Sequence, residues 1–205
     1  MQPEGSPALK LDDVRAIQYG DVLVEGRRWP NCLHTVDHPA GLVLVDTGMI
    51  DSTPELDEEW GVRFDASKIP RDVVCVINTH MHFDHCGGNR LFPGTPIHVQ
   101  RAELEAARAP GHTIAEWVDF DGANYVEHDG EAVVLPGVRL LPTPGHAPGH
   151  QSVLVDTDDG LVVIGGDVGY TWKQFDESES GQMLLSLRPR RIWLAHEAEP
   201  RDFLD

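Results

Sequence analysis

The stretch Ile77–Asn89, I-N-T-H-M-H-F-D-H-C-G-G-N, constrains this chain more than any other. It places His80, His82, Asp84 and His85 within six residues, after an apolar run and before two glycines. Imidazoles and a carboxylate at this density are the usual ligands of divalent transition metals. The spacing adds geometry. His80 and His82 are two apart, so on an extended segment they face the same way. Asp84 and His85 are adjacent and diverge, so they do not easily complete one tetrahedron. Two ligand pairs in one segment imply two neighbouring metal sites.

Length and charge bound the rest. At 205 residues the chain is expected to form one domain, 1–205, with residues 1–12 a loosely ordered N-terminal segment. Its formal charge is -18, and only Lys10, Lys68 and Lys173 supply lysine. That balance lacks the basic footprint that a phosphate backbone requires, so nucleic acid is excluded as a partner. Bound cations would offset part of the acidity. A neutral or weakly polar small molecule suits it better as substrate than a polyanion does. Cys32, Cys75 and Cys86 form neither a C-x-x-C pair nor an even framework, which points to a reducing compartment. Met1–Lys10 has no apolar core of signal-peptide length, and no run approaches a membrane helix. The expectation is a soluble, cytoplasmic protein with no membrane partner, monomer or homodimer.

The pattern of apolar runs predicts the elements. Val14–Val24 alternates loosely and suggests an opening hairpin turning at Gly20, and Trp29-Pro30 breaks the chain before a strand at Cys32–Val36. Gly41–Asp46 and Asp72–Thr79 are continuous apolar runs, the mark of strands buried on both faces. Short helices are expected in Asp51–Trp60, Asp84–Leu91, Arg101–Arg108 and Ala115–Phe120, with a strand at Pro96–Gln100. Five strands follow between Tyr125 and Gly166, then a helix near Gln182–Leu187 and a strand at Arg191–Ala195. Strands, a ligand cluster and a helix precede residue 110 and recur after it. This coarse duplication suits an α/β (α+β) sandwich of two mixed sheets with helices outside and the ligands at one edge.

Four further residues lie at strand ends, as the first cluster does. His146 follows a glycine in L-L-P-T-P-G-H-A-P-G-H, Asp167 ends V-V-I-G-G-D, His196 ends I-W-L-A-H, and Asp46 closes G-L-V-L-V-D. Alone, each reads more naturally as a turn, cap or structural residue. Jointly they supply what the first cluster lacks, because two metals need about six or seven ligands and one carboxylate can bridge them.

H-M-H-F-D-H with Gly87-Gly88, together with Asp46, His146, Asp167 and His196, resembles the metallo-β-lactamase superfamily. The resemblance implies its four-layer αββα sandwich. It also implies that His80, His82 and His146 hold one metal, Asp84, His85 and His196 the other, and that Asp167 bridges. Within the superfamily, H-F-D-H-C-G-G-N, L-V-D-T-G-M at Leu44–Met49, P-G-V-R-L-L-P-T-P-G-H-A-P-G-H-Q-S at Pro136–Ser152 and G-D-V-G-Y-T at Gly166–Thr171 look like the N-acyl-homoserine lactonases, the quorum-quenching branch. Tyr170 stands three after Asp167, where those lactonases keep a tyrosine facing the substrate carbonyl. The chain departs from them in the brief Asp51–Trp60 loop, in having only 28 residues between Asp167 and His196, and in Cys86 where a smaller residue is usual. The first two regions wall the pocket in relatives, so acyl-chain specificity is left open.

The chemistry so implied is lactone opening. Two divalent ions, zinc first and iron, manganese or cobalt as alternatives, share a hydroxide that attacks the ring carbonyl. Tyr170 donates to the oxyanion, and Asp84 passes the proton to the leaving alkoxide. Asp46 is expected to fix a ligand histidine, and His150, four after His146, to be structural or to brace a ligand. His34, His38, His98, His112 and His128 have no partner pattern. Cys86 near a helix N-terminus would have a lowered pKa, although a packed thiol is the simpler reading. Two alternatives remain. One is another ester, glyoxalase II-like thioester or phosphoester hydrolase on the same site. A glyoxalase II-like enzyme would need a basic segment after His196, and the chain stops nine residues later. The other is a metal-binding or redox module without hydrolysis. Diiron redox relatives carry a glutamate where His82 stands.

Overall fold

Apolar alternation along the strands builds the layers. The computed structural model describes residues 9–203. Its elements run β1 (Val14–Val24), β2 (Arg27–His38), β3 (Gly41–Val45), α1 (Pro54–Trp60), β4 (Arg63–Phe64), β5 (Cys75–Ile77), α2 (Phe83–Cys86), β6 (Ile97–Gln100), α3 (Arg101–Ala107), α4 (Ala115–Val118) and β7 (Tyr125–His128). The second half continues with β8 (Ala132–Leu135), β9 (Val138–Pro142), β10 (Gln151–Thr157), β11 (Gly160–Ile164), α5 (Trp172–Glu177), α6 (Glu179–Ser186), β12 (Arg191–Trp193) and β13 (Arg201–Asp202). One sheet is ordered β4-β1-β2-β3-β5-β6-β7 and the other β13-β12-β11-β10-β9-β8. In β3, Val43 and Val45 face the second sheet, where they meet Val153, Val155 and Ile164. Leu44, between them, packs with Met49, Phe92 and Trp117 on the opposite side. In β10, Leu154 likewise turns outward to Phe175 of α5 and Leu184 of α6. Period-two alternation thus feeds three apolar layers, and the expected αββα sandwich of two mixed sheets is what forms. No helix among the described residues is long and apolar enough to cross a membrane.

Register sets where the loops emerge. Val45 of β3 pairs with Ile77 of β5 in parallel, and Ile164 of β11 with Trp193 of β12. Each pair of strands ends level, so Asp46 and His80, and Asp167 and His196, leave from one edge. The two sheets are joined there by main-chain bonds, from Cys32 N–H to the Ala195 carbonyl and from Gln151 N–H to the Thr79 carbonyl, each 2.8 Å.

Three expectations need correction. Val14–Val24 is one strand, not a hairpin. Its register shifts by a bulge between Gln18 and Gly20, and a side chain at Gly20 would collide with the Arg63 carbonyl of β4. The hairpin turns instead at Glu25-Gly26, both at positive φ, 51° and 77°. Trp29-Pro30 does not break β2. Pro30 pairs only with Asp21, because β3 reaches no further along β2 than His34, so this stretch lies at an edge where a missing N–H is tolerated. The duplication does not divide at residue 110 either. Strand β7 joins the first sheet parallel to β6, and a parallel neighbour needs the crossover that α3 and α4 supply.

Of the segment expected to be loose, residues 1–8 lie outside the described residues. Leu9 is buried and bridges to Thr157, and Leu11–Asp13 forms a single 3-10 turn.

Ile77 is fully buried between the sheets, whereas Val133 of β8 is 68% exposed. Ile77→Ala is expected to cost about 2–5 kcal/mol and Val133→Ala less than about 0.5 kcal/mol in urea unfolding. Equal costs would contradict this placement of the core.

Candidate metal centre

Asp46 anchors the site. It follows β3 in the left-handed region, φ 61°, which Asp tolerates better than most residues, and it is 2% exposed. Its Oδ1 accepts the Thr79 N–H at 2.7 Å, and its Oδ2 accepts the Thr79 hydroxyl at 2.8 Å and His85 Nδ1 at 2.9 Å. A carboxylate only accepts, so His85 carries a proton on Nδ1, and Nε2 is the nitrogen turned toward the other ligands. The same reasoning orients two more rings. His196 Nδ1 donates to the Pro30 carbonyl at 2.9 Å. The Thr79 hydroxyl, its proton committed to Asp46, accepts His80 Nδ1 at 3.2 Å.

The bare nitrogens converge. His80 Nε2 and His146 Nε2 lie 3.1 and 2.9 Å from His82 Nδ1. Burial, reinforced by neighbouring imidazoles, lowers the pKa of all three, to about 4 for His82, so these rings keep their lone pairs. Beside them, His85 Nε2 and His196 Nε2 each stand 3.7 Å from Asp84 Oδ2. Burial would lower these two rings as well, but the Asp167 and Asp84 carboxylates more than reverse it and raise both. Asp167 faces both halves, with Oδ1 3.5 Å from His85 Nε2 and Oδ2 3.5 Å from His146 Nε2. Burial alone would raise its pKa, yet His196 and His85 hold it well below the usual carboxylate range.

Three groups offer ligand atoms all within 4.8 Å of one another: His80, His82 and His146; His80, His85 and Asp167; Asp84, His85 and His196. The first and last are the two ligand triads expected from the sequence, and the middle one spans them. His85 Nε2 and Asp167 Oδ1 are buried with no hydrogen-bond partner. Two buried polar atoms left without partners are costly unless something takes them. Five imidazoles and two carboxylates are a donor set suited to divalent transition ions, so the residues fit the metals they imply.

His150 is no part of these groups. Its Nε2 accepts the Asp167 N–H at 3.0 Å, which leaves Nδ1–H to donate to Thr143 Oγ1 at 2.8 Å. The chain continues from Thr143 to Ser152 Oγ at 2.9 Å, so His150 braces the backbone of Asp167. Tyr170 stands on the solvent side, 37% exposed, with its ring 5.1 Å from His196 and 5.3 Å from His146. Partial burial, then Asp167 and Asp84, raise its pKa, which keeps the phenol protonated as a donor. It is placed by α5, whose N-cap Thr171 and Gln174 form a reciprocal capping box. The centre floors a cleft of about 870 Å³. Val22 and Trp29 of the first hairpin, Leu56 and Trp60 of α1, Phe83 and Ile114 line its apolar walls.

The remaining singled-out residues lie elsewhere or do something else. Cys86 ends α2 rather than opening a helix. It donates to the Met81 carbonyl at 3.3 Å, and burial pushes its thiol up to about 12. His98 and His128 have a partner after all, each other, stacked at 11° with nitrogens 2.9 Å apart. His112 also has one, the fully buried carboxylate of Glu103, which the sequence does not single out. The available signal was its helical face, which it shares with buried Ala107 four residues on.

The model of the metallo-beta-lactamase superfamily matches residues 35–198. The N-acyl homoserine lactonase of Bacillus cereus is 38% identical over 170 residues, covering 73% of this chain, which in turn spans 66% of that protein. A second N-acyl homoserine lactonase, from a Bacillus species, is 38% identical over 195 residues, 85% of this chain and 76% of that one. Among solved structures, an N-acyl homoserine lactone hydrolase with N-hexanoyl-L-homoserine at its catalytic metal centre superposes with a TM-score of 0.80. It is 27% identical, over 93% of this chain and 94% of that one.

Two measurements probe the anchoring. An amide at Asp46 has one acceptor oxygen for the three donors that the carboxylate now takes. Asp46→Asn is therefore expected to weaken binding of divalent metal by about 10–100-fold with unchanged circular dichroism, read by cobalt titration of metal-free protein. Unchanged affinity would remove Asp46 from this role. Separately, burial pushes fully buried His34 from 6.5 down to about 3. A base with a depressed folded pKa supports the fold above its unfolded value and loses that support as pH falls from 6.5 toward 3. By pH 5 the loss is about 2 kcal/mol. His34→Phe should shrink the difference in urea stability between pH 7 and pH 5 by that amount.

Proposed function

We propose that this chain, which belongs to the metallo-beta-lactamase superfamily, hydrolyses the lactone ring of N-acyl-homoserine lactones with the help of two divalent metal ions. The observation that carries the reading is the meeting of seven candidate ligands with one protonated phenol at the floor of a largely apolar cleft. The identity to two N-acyl homoserine lactonases and the likeness to a product-bound hydrolase support it.

In this reading His80, His82 and His146 would hold one ion, Asp84, His85 and His196 the other, with Asp167 available to both. Zinc is the first choice for this donor set, with iron, manganese and cobalt as alternatives. Bound there, the ions supply Lewis acidity, making water nucleophilic near neutral pH and polarising the ring carbonyl. The chain's own groups do the rest. The apolar walls take the acyl chain and exclude bulk water. The Tyr170 phenol hydrogen-bonds the carbonyl oxygen as it becomes an oxyanion, an interaction worth on the order of 3 kcal/mol when the donor is well placed. Asp84, on the cleft floor, takes the proton of the attacking water. It returns that proton to the ring oxygen as the carbon–oxygen bond breaks. The product is the ring-opened N-acyl-homoserine.

Metal-replete protein given N-acyl-homoserine lactones of short and long chain should release acid above the buffer rate, followed with a pH indicator. No release for any chain length would sink the proposal. Tyr170→Phe should lower kcat by about 10²-fold with metal content unchanged. Loss of metal in that variant would contradict the role given to the phenol.

A further inference from the structure

Two of the three partners of the buried Glu103 carboxylate belong to loops that carry candidate ligands. Its Oε1 accepts the Met81 N–H, between His80 and His82, at 2.8 Å, and its Oε2 accepts the Gly149 N–H, three residues past His146, at 2.9 Å. The approach is so close that a side chain at Gly149 would run into the Glu103 backbone. The third partner is His112, whose Nε2 lies 2.8 Å from Oε1. A carboxylate on α3 thus sets the relative position of three loops, two of which carry candidate ligands.

The His112 ring is held at a particular place. It lies 4.8 Å from the His82 ring, tilted by 50°, and lines the cleft. With Nε2–H donated to Glu103, Nδ1 is its remaining polar atom, and no described residue bonds to it. The neighbouring walls formed by Phe83 and Ile114 offer no polar side-chain atom. Thr113, which follows, has its hydroxyl beside Cys86 Sγ at 3.8 Å.

We propose that His112, held in place by Glu103, binds the amide of the acyl group and makes the site selective for lactones bearing an acylamino substituent beside the ring carbonyl. The inference rests on the lactonase reading. In such a substrate the amide nitrogen is bonded to the carbon next to the carbonyl under attack. With that carbonyl over the candidate ligands, the amide falls within one side chain's reach of His82. A secondary amide carries both an N–H donor and a carbonyl acceptor, so Nδ1 finds a partner in it. A plain alkyl lactone has neither group. Glu103 touches His112 and the two ligand-bearing loops but no substrate, and is a positioning residue.

The test compares two lactones on metal-replete protein: N-hexanoyl-homoserine lactone and γ-decalactone, which lacks the amide. In His112→Phe, KM for the acylamino lactone is expected to rise about tenfold, with no such rise for γ-decalactone and with kcat changing less than KM. His112→Gln, which keeps a polar atom, should recover part of the rise. Glu103→Gln, which leaves one acceptor oxygen for three donors, should raise that KM as well, and its metal content reads the separate effect on the Met81 and Gly149 loops. Equal effects on both lactones, loss of metal in His112→Phe, or an unaltered KM would overturn the role of His112. Wild-type protein that turns over neither lactone would overturn the lactonase reading with it. If Glu103→Gln does not fold, the two His112 variants still decide the matter.

Discussion

One carboxylate sits where the two halves of the ligand cluster are tied to the fold. Asp46 ends a strand fully buried over its last three residues, in a backbone conformation that few side chains accept, and takes three hydrogen bonds from Thr79 and His85. Those bonds link the end of β3 to the segment after β5 and determine which nitrogen of His85 is turned toward the other ligands. Through the Thr79 hydroxyl they determine the same for His80. Neither ring could present its Nε2 lone pair dependably without an acceptor behind it, because an imidazole in a buried site adopts whichever tautomer its partners demand.

Around that anchor the site divides electrostatically. Burial first, then neighbouring imidazoles that include His85, lowers the pKa of His80, His82 and His146. His85 and His196 lie against carboxylates that outweigh burial. Asp167 stands between, its charge balanced by the second pair and its backbone braced by His150. A divalent cation would thus meet two environments, one of imidazoles alone and one with carboxylates. Above the site, Val22, Trp29, Leu56, Trp60, Phe83 and Ile114 give the cleft its apolar walls.

Much of the site was legible in the sequence because the candidate ligands punctuate apolar runs. A carboxylate or imidazole at the end of a buried strand stands out against its neighbours, as Asp46, Asp167 and His196 do. The compressed cluster His80–His85 needed no structure to be read as metal-binding. Gly20 and Pro30 misled, since both are turn signals locally. The structure uses the first for close approach of a neighbouring strand and the second at a stretch with a free edge. In R-A-E-L-E-A-A, Glu103 has one local mark of burial, Ala107 four residues on along the same helical face. Its burial comes from Met81, His112 and Gly149, spread over 68 positions of sequence.

The sequence by itself determined the chemistry available to the protein: which side chains could bind metal, that they end apolar strands, and which layered fold those strands build. These are local properties, carried by residue type and by the period of two along a strand. The tertiary structure alone decided which nitrogen of each ring faces the other ligands, which half of the cluster lies against carboxylates, and that the second sheet begins after β7. It also decided that a helical glutamate reaches the loops of the site. Each of these depends on a partner distant in the chain, and hydrogen bonding and burial act over ångströms of space regardless of separation in sequence.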